Sequence, residues 1–231
     1  TFIIVSGGID LSVGSILGLS AIVLGMGWKD LGLPLPVAMM LAVVVGGVCG
    51  AINGIVIIKS KMPPMIATLG TLALYRGLAE GISQARSVRG YPEWFYTLGQ
   101  GEAYGTPTQL WILGAVIVVG AIVLGFTTFG RVTYAIGSNE TAARFSGMPV
   151  ERSKFWIYTF SGLMAGLAAM IFVSRVSTTR SDMGTGIEMD VISAVVLGGT
   201  SIFGGRGTMT GTVLGLLLIQ TLKNGLTLAG I

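Results

Sequence analysis

The sequence predicts an all-α protein, built as a polytopic bundle of transmembrane helices. Charged residues make up 10% of the 231 residues and hydrophobic residues 52%, and the mean hydropathy is +0.82. Soluble domains carry about 25% charged residues. The few charges are also clustered, so that long uncharged runs alternate with short polar segments. These observations place most of the chain in a membrane.

Seven uncharged runs are the candidates for membrane spans. A spanning helix needs about 20 mainly apolar residues, and the shorter runs qualify with snorkelling Lys or Arg side chains or as half-helices. We expect one transmembrane domain over residues 1–231 with roughly seven spans, and at least one more helix beyond each end. The runs cover residues 11–28, 31–58, 62–75, 103–130, 155–174, 191–205 and 207–222.

The polar segments between the runs predict an orientation. If the charged stretch 131–154 faces the cytoplasm, alternation places Lys59, Lys61 and Arg206 inside and residues 80–106 outside. The positive-inside rule favours this arrangement because the inside loops are short and rich in Lys and Arg.

Composition also excludes several functions. The chain has no histidine and one cysteine, Cys49, so it lacks the usual imidazole base and the usual zinc ligands. Its basic residues are scattered and form no stripe for nucleic acid. We expect no catalytic residues, no metal site and no enzymatic activity in this chain.

Glycine predicts close packing of the helices. Of the 37 glycines, several follow small-xxx-small spacing, as in Gly46, Gly50 and Gly54 or in Gly162 and Gly166. Missing side chains let helix backbones approach in lipid, although membrane helices also simply tolerate glycine.

Two glycine clusters indicate interrupted helices. In "SGGIDLSVGS" the pair Gly7 and Gly8 precedes Asp10 and Ser12, and the Asp10 carboxylate is suited to cap a helix that begins at Leu11. Broken backbone at membrane depth is tolerated where it borders protein or a water-filled cavity. The cluster therefore predicts either a break beside a translocation pathway or a capped loop at the interface.

The second cluster is "LGGTSIFGGRG". No Gly-Lys-Ser/Thr follows it, so it is not a phosphate loop. A helix that unwinds at Gly198 and Gly199 and turns at Gly204 and Gly205 fits better, and such breaks border substrate sites in transporters.

Asn53 is a polar residue inside a predicted span. It is a further candidate for the translocation pathway, or a group that forms hydrogen bonds between helices.

The charged stretch contains a short predicted helix over residues 140–146. Asn139 is suited to cap it, and Gly147 to end it in the left-handed conformation. Ala142 and Ala143 would leave a shallow surface beside the apolar Phe145. The helix is suited to docking in a partner's groove, with a solvated loop helix as the alternative.

"ETAARFSG" resembles the Glu-Ala-Ala-x3-Gly loop of ABC importer permeases, apart from the inserted Thr141. Together with "SGGIDLSVGS" and "AVVLGGTSIFGGRGTMTGTVLG", it makes nearly the whole chain similar to the ribose-type branch of these monosaccharide permeases. Two other segments, "IATLGTLALYRGLAEG" and "SVRGYPEWFYTLGQG", are similar to relatives assigned to rhamnose or to the autoinducer-2 furanose. Family members have about ten spans. The resemblance implies that the ATPase is coupled through Glu140, Thr141, Ala142, Ala143, Arg144 and Gly147.

The resemblance implies an ATP-driven importer in the bacterial inner membrane. Its partners would be a second permease chain, identical or a sister chain, two cytoplasmic ATPase subunits and an extracytoplasmic sugar-binding protein. ATP and Mg would be bound by the ATPase and no cofactor by this chain. An outer loop with Arg175, Arg180, Asp182 and Glu188 is expected to dock the binding protein. The alternative is an ion- or proton-coupled secondary transporter with Asp10 or Asp190 as coupling carboxylate. Which sugar is carried stays open.

Overall fold

The computed structural model describes residues 1–230 and is mainly helical, which confirms the predicted all-α class. Within these residues lie eleven helices: α1 (Phe2–Val5), α2 (Val13–Lys29), α3 (Leu35–Ser60), α4 (Pro64–Ser83), α5 (Glu93–Gln100), α6 (Thr108–Phe126), α7 (Thr128–Ser138), α8 (Glu140–Phe145), α9 (Val150–Val176), α10 (Ile187–Leu197) and α11 (Met209–Leu228). Four two-residue strands, β1 (Val88–Arg89), β2 (Glu102–Ala103), β3 (Thr106–Pro107) and β4 (Thr178–Thr179), form the antiparallel pairs β1–β4 and β2–β3.

Three helices are long and apolar enough to cross a membrane: α3, α6 and α9. Helix α2 is apolar but has 17 residues, and α10 has 11. Helices α4 and α11 have 20 residues each and carry polar groups among their apolar ones. Because α10 is too short to span unaided and α2 is at the lower limit of spanning length, the figure of roughly seven spans stays a prediction.

The helix bounds depart from the uncharged runs in three places. The run 103–130 is divided, since α6 ends at Phe126 and Thr127 caps α7 by accepting a hydrogen bond from the Gly130 N–H. Helix α4 continues through Arg76 and Glu80. Helix α9 begins at Val150, so the charges that follow belong to its first turns and not to a loop.

The chain divides into two compact units. Unit 2 comprises Asp10–Ala115 and Phe155–Thr185. Its core is a cluster from four helices, formed by Ile16, Leu19, Ile22, Cys49, Tyr75, Ala79 and Ala165. Glycines bring the backbones of α3 and α9 into contact, because a Cβ on Gly50 would lie 2.2 Å from the Tyr158 carbonyl oxygen and one on Gly46 would lie 2.4 Å from the Gly162 oxygen. The glycine spacing in α3 therefore serves helix packing.

Aromatic and charged residues mark one end of unit 2 as a membrane interface. Helix α2 ends at Trp28 and Lys29, and the Trp28 ring stacks on Tyr91 with centroids 4.7 Å apart. The Lys29 ammonium lies over the Trp28 ring, and Asp30 pairs with Arg86. Trp, Tyr and Lys concentrate at membrane–water boundaries. This is the end that the sequence places outside.

Unit 1 comprises Thr1–Ile9, Val116–Lys154 and the chain from Gly186 onwards. Helices α10 and α11 pack through small residues, since a Cβ on Gly211 would lie 2.1 Å from the Gly198 oxygen and one on Gly215 would lie 2.0 Å from the Ala194 oxygen. Helices α7 and α8 and the first turn of α9 form a small apolar cluster around Ile136 and Val150. This cluster carries the charged stretch that the sequence singles out.

Candidate functional site

Helix α8 is defined by its own sequence. The Asn139 side chain caps it by accepting a hydrogen bond from the Ala142 N–H at 2.9 Å. Phe145 ends the helix, and Gly147 adopts φ +77°, the left-handed region that glycine enters without strain. The predicted cap, length and terminator are all confirmed.

Ion pairs connect α8 with the start of α9. The Lys154 ammonium donates to Glu140 at 2.7 Å, and the Lys154 side chain is only 15% exposed. Arg144 pairs with Glu140 at 3.3 Å and with Glu151 at 2.9 Å. The exposed pairs stabilise the helix by a few tenths of a kcal/mol each. Their combined geometry gives α8 a fixed orientation on α9.

The faces of α8 differ from the predicted shallow surface. Ala143 is buried against Ile136 and Val150, so it packs inward and is not available to a partner. Thr141, Ala142 and Phe145 are exposed, and Phe145 is 87% exposed. A large apolar side chain held in water at a helix end is the group of this helix best placed to enter a partner's pocket.

The break before α2 forms a buried polar network in unit 2. The helix begins at Val13, so Asp10 is not its cap; instead, Asp10 Oδ1 accepts hydrogen bonds from the Ser12 N–H at 2.9 Å and the Ser12 hydroxyl at 2.6 Å. The Asn53 amide donates to Ser12 Oγ at 2.7 Å, and the Tyr75 hydroxyl lies 3.1 Å from Asn53 Oδ1. Asp10, Ser12 and Asn53 were predicted as separate candidates, and the structure places them in one hydrogen-bonded network. Tyr75 was not predicted, because tyrosine at a helical core position carries no distinguishing signal.

The other break residues meet in unit 1. The Gly205 N–H donates to the Val5 carbonyl at 2.8 Å, and a Cβ on Gly204 would lie 2.8 Å from both the Gly7 nitrogen and the Gly137 oxygen. The neighbouring Gly8 N–H donates to the Ile3 carbonyl. Helix α10 ends at Leu197, with Gly198 as its C-cap and Gly199 at φ +84°, which confirms the predicted unwinding. The two glycine clusters therefore form one backbone contact.

The four residues predicted to dock the binding protein lie on different elements of the chain, and their docking role stays a prediction. Arg175 is exposed near the end of α9 and borders a cavity of about 360 Å³ with Gln100 and Glu102. Arg180 and Asp182 form an ion pair at 2.5 Å on the segment after β4. Glu188 lies in the first turn of α10, where it accepts from the Gly186 N–H, and its second carboxylate oxygen is buried. Within unit 2, the segment after β4 folds back along α2.

Arg76 holds that segment in place. Its Nη1 donates to the Ser181 carbonyl at 2.6 Å and to the Met183 carbonyl at 2.9 Å. Gly18 of α2 leaves room for this contact, since a Cβ there would lie 2.8 Å from Arg76 Nη1 and 2.8 Å from the Met183 oxygen. An arginine inside an apolar run is a signal that sequence reasoning can find, whereas its partners cannot be read from the sequence.

Three features described above are typical of membrane transport proteins. They are the helix breaks lined by glycine, the buried polar network of unit 2 and the short helix α8 braced against α9. The profile of the family described as "Branched-chain amino acid transport system / permease component" matches residues 1–231, and the chain belongs to this family. It is 40% identical to the ribose import permease protein RbsC of Escherichia coli K12 and 44% identical to that of Bacillus subtilis 168. It is 38% identical to the autoinducer 2 import system permease protein LsrD of Photorhabdus luminescens.

These alignments cover 100% of this chain and 73%, 72% and 71% of the three relatives, in that order. No solved structure gives a significant match. The chain is thus an ABC-type permease of the bacterial inner membrane, related to transport proteins and not to enzymes. The ion-coupled alternative is not favoured.

Proposed function

We propose that this chain forms the membrane path of an ATP-driven importer for a monosaccharide, and that α8 is where a separate ATPase subunit acts on it. The proposal extends to this chain what its relatives' names state for ribose and for autoinducer 2. Both named solutes are small and polar, so the carried solute is expected to be a small hydroxylated sugar or furanose.

The observation that carries the proposal is the construction of α8. It is capped by Asn139, braced by the Glu140–Lys154 pair and packed inward through Ala143, while Phe145 projects into solvent. A helix of six residues is not stable alone. The cap, the ion pair and the buried Ala143 therefore indicate a helix that has to keep its shape while a partner acts on it. A solvated loop helix needs neither the bracing nor an exposed phenylalanine.

The nucleotide belongs to the partner in this proposal. The chain offers no phosphate loop, and no group of three or more His, Cys, Asp or Glu in its described residues is suited to a metal ion. The proposal assigns ATP and Mg to two cytoplasmic ATPase subunits and assigns no cofactor to this chain. A second permease chain, identical or related, completes the membrane part.

An extracytoplasmic sugar-binding protein is the second proposed partner. Arg175 is the one residue of the predicted docking set that is both exposed and beside the outer cavity. Rim charges mainly alter association rate and its salt dependence. We assign Arg175 to docking and place Arg180 and Asp182 in a different role below.

The proposal is tested by isolating the chain with its associated subunits from its native membrane and reconstituting them in vesicles. We expect a soluble ATPase to co-purify in a fixed ratio and sugar uptake to require ATP inside. Purified permease alone should not hydrolyse ATP. Uptake of ribose, rhamnose and autoinducer 2 measured in parallel identifies the solute. Uptake driven by an ion gradient without ATP would reject the proposal.

A further inference from the structure

The segment from β4 to α10 descends along α2 into the membrane. In unit 2, Thr179 lies against Gly25, Met183 against Gly18 and Gly184 against Gly14. Helix α2 ends at the interface marked by Trp28 and Lys29. At about 1.5 Å rise per residue, Gly18 lies about 16 Å and Gly14 about 22 Å below Lys29. A hydrocarbon core is about 30 Å thick, so Met183 lies near its middle and Gly184 lies beyond the middle.

Both ends of this re-entrant segment, residues 180–185, are fixed. At the outer end β4 pairs with β1, and Tyr91 and Thr179 share a hydrogen bond of 2.6 Å between their hydroxyls. At the inner end Arg76 binds two of its carbonyls, and a Cβ on Gly184 would lie 2.5 Å from the Gly14 oxygen. The segment is therefore a fixed part of the wall of unit 2.

Charged side chains are exposed on this wall. Arg180 and Asp182 pair with each other, yet each side chain remains 58% exposed. Thr185 is also exposed, and its hydroxyl donates to the Asp182 carbonyl at 2.7 Å. Asp182 and Thr185 flank Met183 and Gly184 and lie near the levels of Gly18 and Gly14, whereas Arg180 follows Thr179 near the level of Gly25, about 6 Å below Lys29.

Exposed charges and irregular backbone at this depth do not face lipid. Non-helical backbone inside a membrane is found where it is buried in protein or lines a water-filled cavity, and intramembrane charges mark substrate pathways. Because Arg180, Asp182 and Thr185 are exposed and not buried, we propose that the re-entrant segment lines a water-filled path from the outer interface to beyond the middle of the membrane. These three residues would contact the solute as it passes.

The chemistry of the wall fits a neutral polyhydroxylated solute. The ion pair engages Asp182 Oδ2 and Arg180 Nη2. The other carboxylate oxygen can accept from sugar hydroxyls, and the remaining guanidinium N–H groups can donate to hydroxyl or ring oxygens. The mutual pairing keeps the wall near neutral, which suits passage of an uncharged sugar.

Thiol labelling tests whether the re-entrant segment is accessible to water. The native Cys49 is 5% exposed, so the wild-type chain gives a low background. Asp182→Cys and Thr185→Cys are made in the full complex and treated in intact membranes with a charged, membrane-impermeant methanethiosulfonate reagent. We expect both to lose their free-thiol signal at a rate comparable to Arg175→Cys on the outer surface.

Leu74→Cys is the matched control, because it lies in α4 two residues from Arg76 and its side chain is exposed and apolar. It should react with N-ethylmaleimide in detergent and stay unlabelled by the charged reagent in membranes. If Asp182→Cys and Thr185→Cys behave like Leu74→Cys, or form disulfides between two permease chains on oxidation, the segment faces lipid or a second copy and the proposal is wrong.

A solute-contact role also rests on the proposed function, and transport separates it from docking. Asp182→Asn should lower ribose uptake, or uptake of whichever sugar the wild type carries, by about tenfold, since one charge-assisted hydrogen bond is lost. Stimulation of the ATPase by the loaded binding protein should persist at every ionic strength. A salt-dependent loss of stimulation would instead assign Asp182 to docking.

The charge swap Arg180→Asp with Asp182→Arg separates contact from structure. It restores an ion pair, so a merely structural role predicts restored uptake, whereas solute contact predicts uptake as low as in Asp182→Asn. If wild-type complex transports no sugar, the proposed function fails; if it does and Asp182→Cys stays unlabelled, only the present inference fails.

Discussion

Arg76 carries a permanent charge within a helix whose neighbours are mainly apolar. Its guanidinium is satisfied by backbone carbonyls of the re-entrant segment and not by a carboxylate. Hydrogen bonds to a charged group contribute about 1.5–3 kcal/mol each, and removing one partner leaves the other unsatisfied. The residue therefore supports the segment and is not itself expected to contact the solute.

Arg76→Gln should lower the free energy of unfolding by about 3–6 kcal/mol, because two charge-assisted hydrogen bonds are lost. Arg86→Gln is the control, since Arg86 is 63% exposed and pairs with Asp30 at 3.6 Å. We expect its effect to stay within about 0.5 kcal/mol. Thermal unfolding midpoints of the purified complex in detergent measure both. Equal midpoints for the two variants would contradict the role of Arg76.

At the scale of elements, α8 shows which features of a helix its local sequence determines. Its cap, its length and its terminator are encoded within nine residues, from Asn139 to Gly147, and all three were predicted. The burial of Ala143 was not, because it depends on how α7 and α9 converge on Ile136 and Val150. The course of the re-entrant segment likewise depends on contacts with α2, more than 150 residues earlier.

Phe145→Ser should leave stability within about 0.5 kcal/mol, because the side chain is exposed. The same change should abolish the stimulation of the ATPase by sugar, since it removes the apolar group offered to the partner. Ala143→Trp is the contrasting variant, because it overpacks the cluster with Ile136 and Val150 and should lower the unfolding midpoint. Normal coupling in Phe145→Ser would show that the partner binds elsewhere.

Gly147→Val should lower stability by about 1–2 kcal/mol through backbone strain alone, because φ is +77°. No atom of the described chain lies within 4 Å of a Cβ built on this glycine, so the effect is not steric. Gly147→Asn should be close to wild type, since asparagine tolerates the left-handed conformation. Sugar uptake and unfolding midpoints of both variants are the measurement. A similar loss in both would point to a contact with the partner.

At the scale of the molecule, stability depends on backbone contacts that glycine permits. Each unit has its own, between α3 and α9 in unit 2 and between α10 and α11 in unit 1. The sequence indicates these stripes by their spacing but not which helix each one meets. Other glycines, such as Gly70 and Gly77 of α4, meet no described atom within 4 Å of a built Cβ.

Gly50→Ala should destabilise the complex by about 1–3 kcal/mol, because the new Cβ would lie 2.2 Å from the Tyr158 oxygen and force α3 and α9 apart. Gly77→Ala is the matched control in an apolar helix and should be neutral or slightly stabilising, since alanine is the better helix former. Unfolding midpoints in one detergent decide between them. If Gly77→Ala is the more harmful change, the exposed face of α4 is covered in the assembled transporter.

The re-entrant segment also sets an order for biogenesis. A stretch that carries Arg180 and Asp182 is too polar to partition into the bilayer, and the 11 residues of α10 are too few to span it. The re-entrant segment has no stable place in lipid until Gly14, Gly18 and Arg76 present their side of the contact. These partners are synthesised first, since they lie in α2 and α4. The partners are therefore in place before the segment that needs them, and insertion of residues 180–185 becomes a folding step on existing protein.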